Sequence, residues 1–394
     1  MKKTIARAEK VIMPTYKRFP IVFDHGDGCT LTDINGKKYI DFVAGIAVDC
    51  LGHNHKGLNQ AIAAQCQKMI HVSNLYYTEP QIEMAELVCQ ATELDQAFFC
   101  NSGAEANEAA MKLARIYAKQ YKAPDAMEII SMDHSFHGRT YGALTATGNK
   151  KYQKNLDPLL PGVKHVPFND FKALEACVSD KTCAIMIEVI QGEGGIYPVD
   201  YDYLQAVRKL CDDQNIVLIF DEVQCGMGRS GKMFAYQHYN LKPDIVAMAK
   251  AIAGGLPMGA IAACSKVSKV FVPGTHASTF GGNPLVSAAS RYVLKTLMAD
   301  GFLDSVQENG NYLKAGLEKL QEKYDCVKEV RGKGLMLGME LKMAPTAIIE
   351  DAIDQGLLLV GAGNNTIRFV PPLIISKNEI DQALKILNYC LQKA

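Results

Sequence analysis

Six short apolar runs alternate with helix-type patterns between about residues 50 and 285. Runs of this length without polar alternation are typical of strands buried on both faces of a parallel sheet. Their alternation with helices predicts an α/β fold with a mostly parallel central sheet flanked by helices. The last two runs are close enough to pair through a short turn, so one strand can be antiparallel. The runs are AFFC (97–100), EIISM (128–132), CAIMIEVI (183–190), IVLIF (216–220), DIVAMA (244–249) and AIAAC (260–264).

The two ends of the chain show a different pattern. Near the N-terminus, GCTLTDINGKKYIDF reads as small strands with a turn at Asn35-Gly36. Toward the C-terminus, long amphipathic helices are followed by two strand patterns, GLMLGMEL and TIRFVPPL. These patterns predict a smaller α+β domain built from both termini. We expect 1–45 and 289–394 to form this domain and 46–288 to form the large, ligand-binding domain.

The composition argues against several classes of protein. Forty-two basic and 42 acidic residues cancel, so neither nucleic acid nor an anionic membrane is an expected partner. The twelve cysteines include no C-x-x-C pair, which argues against zinc ribbons and thioredoxin-type redox motifs. Arg7, Glu9 and Lys10 interrupt any signal peptide, and no stretch is apolar enough to span a membrane. We therefore expect a cytoplasmic protein with reduced thiols.

Polar residues follow five of the predicted strands. Because the carboxyl ends of parallel strands meet at one edge of a sheet, where ligands bind, we expect these residues to lie close together. Individually they have simpler explanations: Ser102 and Glu105 form a helix-capping box, and the His134 and His137 pair lacks the carboxylates that would support a metal site. We predict no metal. The five segments are 101–105, 133–139, 191–195, Asp221-Glu222 with Gln224, and Lys250.

The Gly-rich stretch GMGRSGK (226–232) offers a competing interpretation of the two acids before it. Gly226, Gly231 and Lys232 match a phosphate-binding P-loop, but Met233 stands where a Ser or Thr would hold Mg²⁺. A P-loop-like nucleotide-binding protein is therefore an alternative from another functional class, with one required residue missing.

Taken together, the residues after the strands form the set that a pyridoxal phosphate (PLP) site needs. The Lys250 amine would bond to the cofactor aldehyde and later move a proton. Asp221 would hold a proton on the ring nitrogen, which explains why an apolar strand ends in a carboxylate. The helix beginning after Ser102 would bind the phosphate, and Phe136 would cover the ring.

Seven motifs occur along the chain in a fixed order: NSGAEANEAAMKLAR, SFHGRT, EVIQGEGG, DEVQCGMGRSGKMFA, DIVAMAKAIAGGLPMGA, HASTFGGNPL and IRFVPPL. In these motifs the chain resembles the class III (ornithine-type) PLP aminotransferases of fold type I, over nearly its whole length. Within that family, SNLYYTEPQ (73–81) and NSGAEANEA make it most similar to the members that act on acetylornithine.

The resemblance implies a role for individual residues. Lys250 and Asp221 would be catalytic. Glu193, in a Gly-flanked loop that can swing, would neutralise Arg368 whenever the amine substrate is bound, and Arg368 would otherwise take the α-carboxylate of glutamate. The remaining cofactor-binding residues would be Ser102, Gly103 and Ala104 at the phosphate, Phe136 stacked on the ring, Gln224 at the phenolic oxygen, Thr279 at the phosphate of the other subunit, and His137. The remaining substrate-binding residues would be Tyr16, Arg139 and Ser278. The role of Thr279 implies a homodimer with shared active sites.

The reaction implied is transfer of the terminal amino group of N²-acetyl-L-ornithine to 2-oxoglutarate, giving N-acetyl-L-glutamate 5-semialdehyde and L-glutamate in arginine biosynthesis. Ile46 aligns with a Tyr of ornithine-specific members, and its apolar side chain fits an acylated substrate or 4-aminobutyrate better than ornithine. Asp49-Cys50 departs from the Asn-Ala common in acetylornithine members, so succinylornithine, ornithine and 4-aminobutyrate stay open as substrates. A cofactor-free regulatory relative is not favoured, because such a protein needs neither Lys250 nor Asp221.

Overall fold

The computed structural model describes residues 1–393. Its helices are α1 Lys2–Val11, α2 Ala44–Ala47, α3 Lys56–Cys66, α4 Glu79–Thr92, α5 Gly103–Tyr121, α6 Tyr141–Ala146, α7 Lys150–Gln153, α8 Phe171–Cys177, α9 Tyr201–Gln214, α10 Ser265–Ser268, α11 Pro284–Leu297, α12 Phe302–Lys323, α13 Thr346–Asp354 and α14 Lys377–Leu391, with 3₁₀ helices at Ala235–Tyr239 and Lys250–Ala253. Its strands are β1 Phe23–Asp27, β2 Thr30–Asp33, β3 Lys38–Asp41, β4 Gln96–Cys100, β5 Glu128–Met132, β6 Val163–Val166, β7 Thr182–Ile187, β8 Ile190–Gln191, β9 Tyr197–Pro198, β10 Val217–Asp221, β11 Ile245–Met248, β12 Gly259–Ala263, β13 Val327–Lys333, β14 Met336–Leu341, β15 Leu357–Leu358, β16 Val360–Ala362 and β17 Thr366–Phe369.

The central sheet has seven strands in the order β4-β12-β11-β10-β7-β5-β6. All neighbouring pairs from β11 to β6 are parallel, whereas β12 is antiparallel to both β11 and β4. Strands β7, β10, β11 and β12 are buried along their whole length, as expected for strands covered on both faces. The predicted α/β fold is confirmed, and so is the antiparallel strand in the last pair of apolar runs.

Helix α5 packs across one face of this sheet, against β12, β11, β7 and β10. Its buried side recurs at the three-to-four-residue spacing of a helix and consists mainly of alanine, which allows the helix axis to approach the sheet closely. Close packing of α5 fixes where its N-terminus lies, immediately after β4. That end of the helix forms part of the cavity described below.

Of the two four-stranded sheets, one combines segments from both ends of the chain and the other comes from the C-terminal part alone. Strands β1, β2 and β3 are joined by β15, and β13, β14, β17 and β16 form a second four-stranded sheet. The turn predicted at Asn35-Gly36 lies between β2 and β3, where the Gly36 N–H donates to the Asp33 carbonyl at 2.9 Å. The contribution of both termini agrees with the prediction, whereas the boundaries 1–45, 46–288 and 289–394 stay a prediction.

The first residues of the chain lie on the outside of the subunit. Helix α1 has no buried residue, and the side chains of Val11, Met13 and Tyr16 are 82%, 80% and 71% exposed. Within residues 1–393, no helix has both the length and the apolar character that a membrane crossing requires. The N-terminal segment therefore presents apolar side chains that the rest of this chain does not cover.

Candidate active site

A cavity of about 450 Å³ lies where the segments after β4, β5, β7, β10 and β11 meet. This is the carboxyl-end edge of the parallel strands, so the predicted convergence of polar residues at one edge is observed. The lining residues are Val48, Asn101, Ser102, Gly103, Ala104, Asn107, Phe136, His137, Gly138, Arg139, Glu188, Asp221, Val223, Gln224, Ala249, Lys250, Gly255, Leu256, Pro257 and Met258.

One end of the cavity is formed by the N-terminus of α5. The Ser102 hydroxyl accepts from the Glu105 N–H at 3.2 Å and lies 2.9 Å from the Glu105 carboxylate, so the predicted helix cap is present. The first N–H groups of a helix have no intrahelical acceptor and attract anions, and here they open into the cavity at Gly103 and Ala104. A Cβ at Gly103 would lie only 2.8 Å from Val223 Cγ1, so the close packing of the start of α5 against Val223 requires glycine at this position. The cradle suits a phosphate group.

Asp221 is held in one orientation by three donors. Its Oδ2 accepts from Asn107 Nδ2 and His137 Nδ1, both at 2.7 Å, and its Oδ1 accepts from the Val223 N–H at 2.9 Å. Burial disfavours the charged imidazolium, yet the hydrogen bond to Asp221 raises the pKa of His137. The His137 Nε2 in turn lies 3.1 Å from the Ser131 hydroxyl. A buried, anchored carboxylate of this kind can meet a cationic ring nitrogen.

Lys250 begins the 3₁₀ helix after β11 and lines the cavity. Its φ of +48° is in the left-handed region, which is rare for a lysine and is common at functional sites. Burial lowers the pKa of its amine to about 8, although the negative charges of Glu193 and Asp221 act to raise it. The amine is therefore closer to its neutral, nucleophilic form at physiological pH than an exposed lysine would be.

Arg368 and Glu193 form an ion pair next to this lysine. Arg368 is 1% exposed, and its Nη1 donates to Glu193 Oε1 at 2.5 Å and to Gln224 Oε1 at 3.0 Å. Burial alone would raise the pKa of Glu193, but the Arg368 cation lowers it. Gln224 also lines the cavity. In this structure its side chain bonds to Arg368, and the role predicted for it at a phenolic oxygen stays a prediction.

The other predicted substrate residues lie at different distances from the cavity. Arg139 is exposed at its edge, with the guanidinium carbon 4.1 Å from the Tyr152 ring centroid and 5.5 Å from that of Phe136. Ser278 is outside the lining, but its hydroxyl accepts at 3.3 Å from Nδ2 of Asn101, which is a lining residue. Thr279 and Tyr16 are exposed and outside the lining of this subunit's cavity, so their roles stay predictions.

Two residues of the site were missed by the sequence analysis. Asn107, on the second turn of α5, holds Asp221, while its own Oδ1 is buried without a hydrogen-bond partner. Glu188, inside the third apolar run and directly after β7, accepts from the N–H groups of Phe136 at 2.9 Å and Gly192 at 3.2 Å. Burial raises the pKa of Glu188 to about 7. A carboxylate inside an apolar run was the signal that could have identified it.

Glu222, the acid adjacent to Asp221, is outside the lining of the cavity. Its carboxylate accepts from the N–H groups of Ala235 and Tyr236, both at 2.9 Å, and it is fully buried. In the stretch that follows, Arg229 is buried and its guanidinium donates to the main-chain carbonyls of Leu335 and Pro371. The structure therefore gives GMGRSGK a packing role against the C-terminal part of the chain, with its arginine engaged by carbonyls.

We expect Glu222→Gln to change the pH dependence of stability. Burial raises the pKa of Glu222 from 4.5 to about 7, so the folded protein binds this proton more tightly than the unfolded chain. That contribution is complete below pH 4.5 and is lost as the pH rises to about 7. Glutamine does not titrate, so the variant should gain about 1–3 kcal/mol relative to wild type between pH 5 and 7.5. Urea unfolding of both cofactor-free proteins would measure this, and a constant difference would contradict it.

The donors around the cavity fit PLP. The α5 terminus with Gly103 would hold the phosphate, Asp221 would meet the ring nitrogen, and Lys250 would hold the aldehyde carbon. His134 and His137 do not act as a pair, because His137 is bound to Asp221 while His134 is exposed. The cavity therefore has an anion cradle, an anchored acid and a nucleophilic amine in one space.

Comparisons with known proteins agree with this chemistry. The family model described as aminotransferase class-III matches residues 11–391. The acetylornithine aminotransferase of Caldanaerobacter subterraneus subsp. tengcongensis is 50% identical over 390 residues, covering 99% of each chain. That of Gloeobacter violaceus is 51% identical over 382 residues, covering 96% of this chain and 95% of its own. The crystal structure of ornithine aminotransferase from Toxoplasma gondii ME49 has a TM-score of 0.96 and 30% identity, covering 100% of this chain and 95% of its own.

Proposed function

Because the chain belongs to the class-III aminotransferases, we propose that it transfers the terminal amino group of N²-acetyl-L-ornithine to 2-oxoglutarate. The products would be N-acetyl-L-glutamate 5-semialdehyde and L-glutamate, as in arginine biosynthesis. The choice of amine is supported by relatives near 50% identity that are named acetylornithine aminotransferases, whereas the ornithine aminotransferase structure is 30% identical. The family uses PLP, which supplies an aldehyde that bonds to amines and a ring that accepts electrons when the adjacent C–H bond breaks.

The residues of this chain would divide the work as follows. Lys250, with a pKa of about 8, would accept the proton from the carbon that bears the amino group and return it on the next step. Asp221, held by Asn107 and His137, would keep the ring nitrogen protonated. The first N–H groups of α5 would hold the phosphate so that the reacting carbon stays beside Lys250.

The ion pair of Glu193 and Arg368 carries the proposal, because this reaction requires one pocket to accept two unlike substrates in turn. Glutamate brings an α-carboxylate that can take Arg368 in a bidentate fork, whereas acetylornithine presents an uncharged CH₂NH₂ end. With that apolar end bound, an unpaired Arg368 would be a buried, uncompensated charge. Glu193 is the carboxylate that pairs with it in this structure.

We therefore expect Glu193→Ala and Arg368→Ala to have opposite selectivity. Glu193→Ala should slow the acetylornithine half-reaction and spare or improve the glutamate half-reaction, since Arg368 would then stay free for the α-carboxylate. Arg368→Ala should lose the glutamate half-reaction first. Breaking one side of a buried pair costs roughly 3–5 kcal/mol, so the effects should reach about 10²-fold or more.

Single-turnover rates for each half-reaction in both variants would decide the matter. The control is Glu308→Ala, which removes an exposed carboxylate that is paired with Lys377 and is not among the residues lining the cavity, so it should change neither rate. Equal slowing of both half-reactions by Glu193→Ala would show that the pair does not act as a switch.

A direct comparison of amine donors tests the substrate. The purified, cofactor-loaded protein would be mixed separately with acetylornithine, succinylornithine, ornithine and 4-aminobutyrate, and the rate at which the cofactor absorbance changes would be recorded. We expect acetylornithine to react fastest, with ornithine disfavoured by the apolar Ile46. A faster reaction with any of the other three would replace acetylornithine in this proposal.

We further propose that the enzyme is a homodimer with shared active sites. Leu75, Tyr77 and Phe280 are apolar side chains that are 82%, 95% and 58% exposed. Their segments are joined to each other and to the cavity, because Asn74 Nδ2 donates to the Ser278 carbonyl at 3.1 Å and the Ser278 hydroxyl accepts from Asn101, which lines the cavity. Apolar surface of this kind favours association with a second copy. Sedimentation equilibrium would test it, and a monomer at micromolar concentration would contradict it.

We also propose a cytoplasmic location. All twelve cysteines are free thiols, which suits a reducing compartment. Fractionation of the producing cells with an antibody against the protein would test this, and recovery outside the cytoplasm would contradict it.

A further inference from the structure

The backbone on both sides of Glu193 is held by the C-terminal part of the chain. Glu193 lies in the short connection between β8 and β9, which pair as an antiparallel hairpin. Its own carbonyl accepts from the Gly363 N–H at 2.8 Å. Two residues on, the Gly195 carbonyl accepts from Arg331 Nε at 2.9 Å and from Nη2 at 2.7 Å. Gly363 is close to Arg368 along the chain, and Arg331 lies in the same sheet as Arg368.

Arg331 is itself held rigidly. It is 6% exposed, and its Nη1 donates to Glu340 Oε2 at 2.6 Å while its Nη2 donates to Thr366 Oγ1 at 3.0 Å. The guanidinium carbon also lies 3.7 Å from the centroid of the Tyr197 ring, and the Tyr197 hydroxyl donates to Glu340. A planar guanidinium engaged on every side has almost no freedom to rotate, so it fixes the carbonyl to which it donates.

The glycines beside Glu193 serve close packing in this arrangement. Gly195 has a φ of +124°, and a Cβ there would lie 2.9 Å from Tyr197 Cε2 and 3.3 Å from Arg331 Nη2. A Cβ at Gly194 would lie 2.8 Å from the His134 carbonyl. The sequence suggested a loop that swings, whereas the structure shows glycines that allow neighbouring groups to clamp the loop.

We infer that Arg331 is a positioning residue for the choice between the two substrates: it holds the hairpin backbone still, so that only the Glu193 side chain moves on and off Arg368. This inference rests on the proposed function. Glu193 must return to the same place after every glutamate half-reaction, and a fixed backbone leaves only side-chain torsions to be ordered on each return. A loosened backbone would leave Arg368 unpaired more often, which penalises the amine substrate and not glutamate.

The test is Arg331→Lys, which keeps the positive charge but loses the fork that holds the Gly195 carbonyl. We expect the acetylornithine half-reaction to slow by about tenfold, with the glutamate half-reaction changed by less than about twofold. Adding Arg331→Lys to Glu193→Ala should cause no further loss, because the residue that Arg331 positions is then absent. A purely structural role predicts equal slowing of both half-reactions and additive effects in the double variant, and either result would overturn the inference.

The matched control is Glu329→Gln, which removes a half-exposed carboxylate from the other side of the same guanidinium. It should leave both half-reactions and the hairpin unchanged. Hydrogen–deuterium exchange on the cofactor-free proteins gives a second readout: exchange in 190–198 should rise in Arg331→Lys and stay at the wild-type level in Glu329→Gln. Unchanged exchange in Arg331→Lys would also overturn the inference.

Failure of this inference can be told apart from failure of the proposed function. A wild-type protein that does not react with acetylornithine would refute the proposed substrate. The Arg331→Lys comparison would then be run with the amine donor that reacts fastest, and the same selective loss would be required of it.

Discussion

Replacing Lys250 with alanine should abolish turnover, with a loss of more than about 10⁴-fold. The reason is geometric and electrostatic: Lys250 is the lysine that lines the cavity, and burial brings its pKa down to about 8. Borohydride reduction of the cofactor-loaded wild type should fix the cofactor to the peptide that contains Lys250, as read by mass spectrometry. The variant should yield no such peptide.

The matched control is Lys232→Ala, which removes the exposed lysine of GMGRSGK. It should keep wild-type turnover and cofactor attachment, whereas a nucleotide-binding function would make it the damaging change of the two. A cofactor adduct at another lysine in Lys250→Ala would show that the nucleophile has been wrongly assigned.

Asp221→Asn should leave the fold intact and slow both half-reactions by about 10²–10⁴-fold. The amide cannot hold a proton on the ring nitrogen as a carboxylate does, although it keeps nearly the same shape. Glu222→Gln is the natural comparison, because the two acids are adjacent, yet only Asp221 lines the cavity. Single-turnover rates in both variants, with circular dichroism to verify folding, would measure the difference.

Glu222→Gln should slow each half-reaction by less than about tenfold, because the Glu222 carboxylate accepts from the N–H groups of Ala235 and Tyr236 and affects the site only through packing. Equal damage from the two substitutions would mean that the wrong carboxylate of the pair has been chosen. An effect confined to Glu222→Gln would carry the same meaning.

Local patterns in the sequence predicted much of the fold. Five of the six apolar runs overlap a strand with bounds within a residue or two, because a strand buried on both faces requires an unbroken apolar stretch. Strand β6, with the sequence VKHV, has no such stretch and was missed, because its first three residues are only half-buried and two of its four residues are Lys164 and His165. The run CAIMIEVI was one pattern in the sequence and two strands, β7 and β8, in the structure.

The candidate site was predictable where a polar residue directly follows an apolar run of the sequence, as Asp221 follows IVLIF and Lys250 follows DIVAMA. Asn107 and Arg331 were not predictable in this way, because each acts on a group more than 100 residues away. Their roles depend on how α5 crosses the sheet and how β13 meets the β8–β9 hairpin. The roles of Tyr16 and Thr279 came from the resemblance; both side chains are exposed, and their roles stay predictions.

The order of strands in the central sheet has a consequence for synthesis of the chain. Strand β4, which leads into the phosphate cradle, lies at one edge of the sheet and pairs only with β12, about 160 residues later in the sequence. At roughly 5–20 residues per second, a ribosome needs about ten to thirty seconds to supply that partner. The apolar segment AFFC therefore waits without its neighbouring strand through much of translation. Within the central sheet, chaperones that shield nascent apolar segments would have their longest task at this strand.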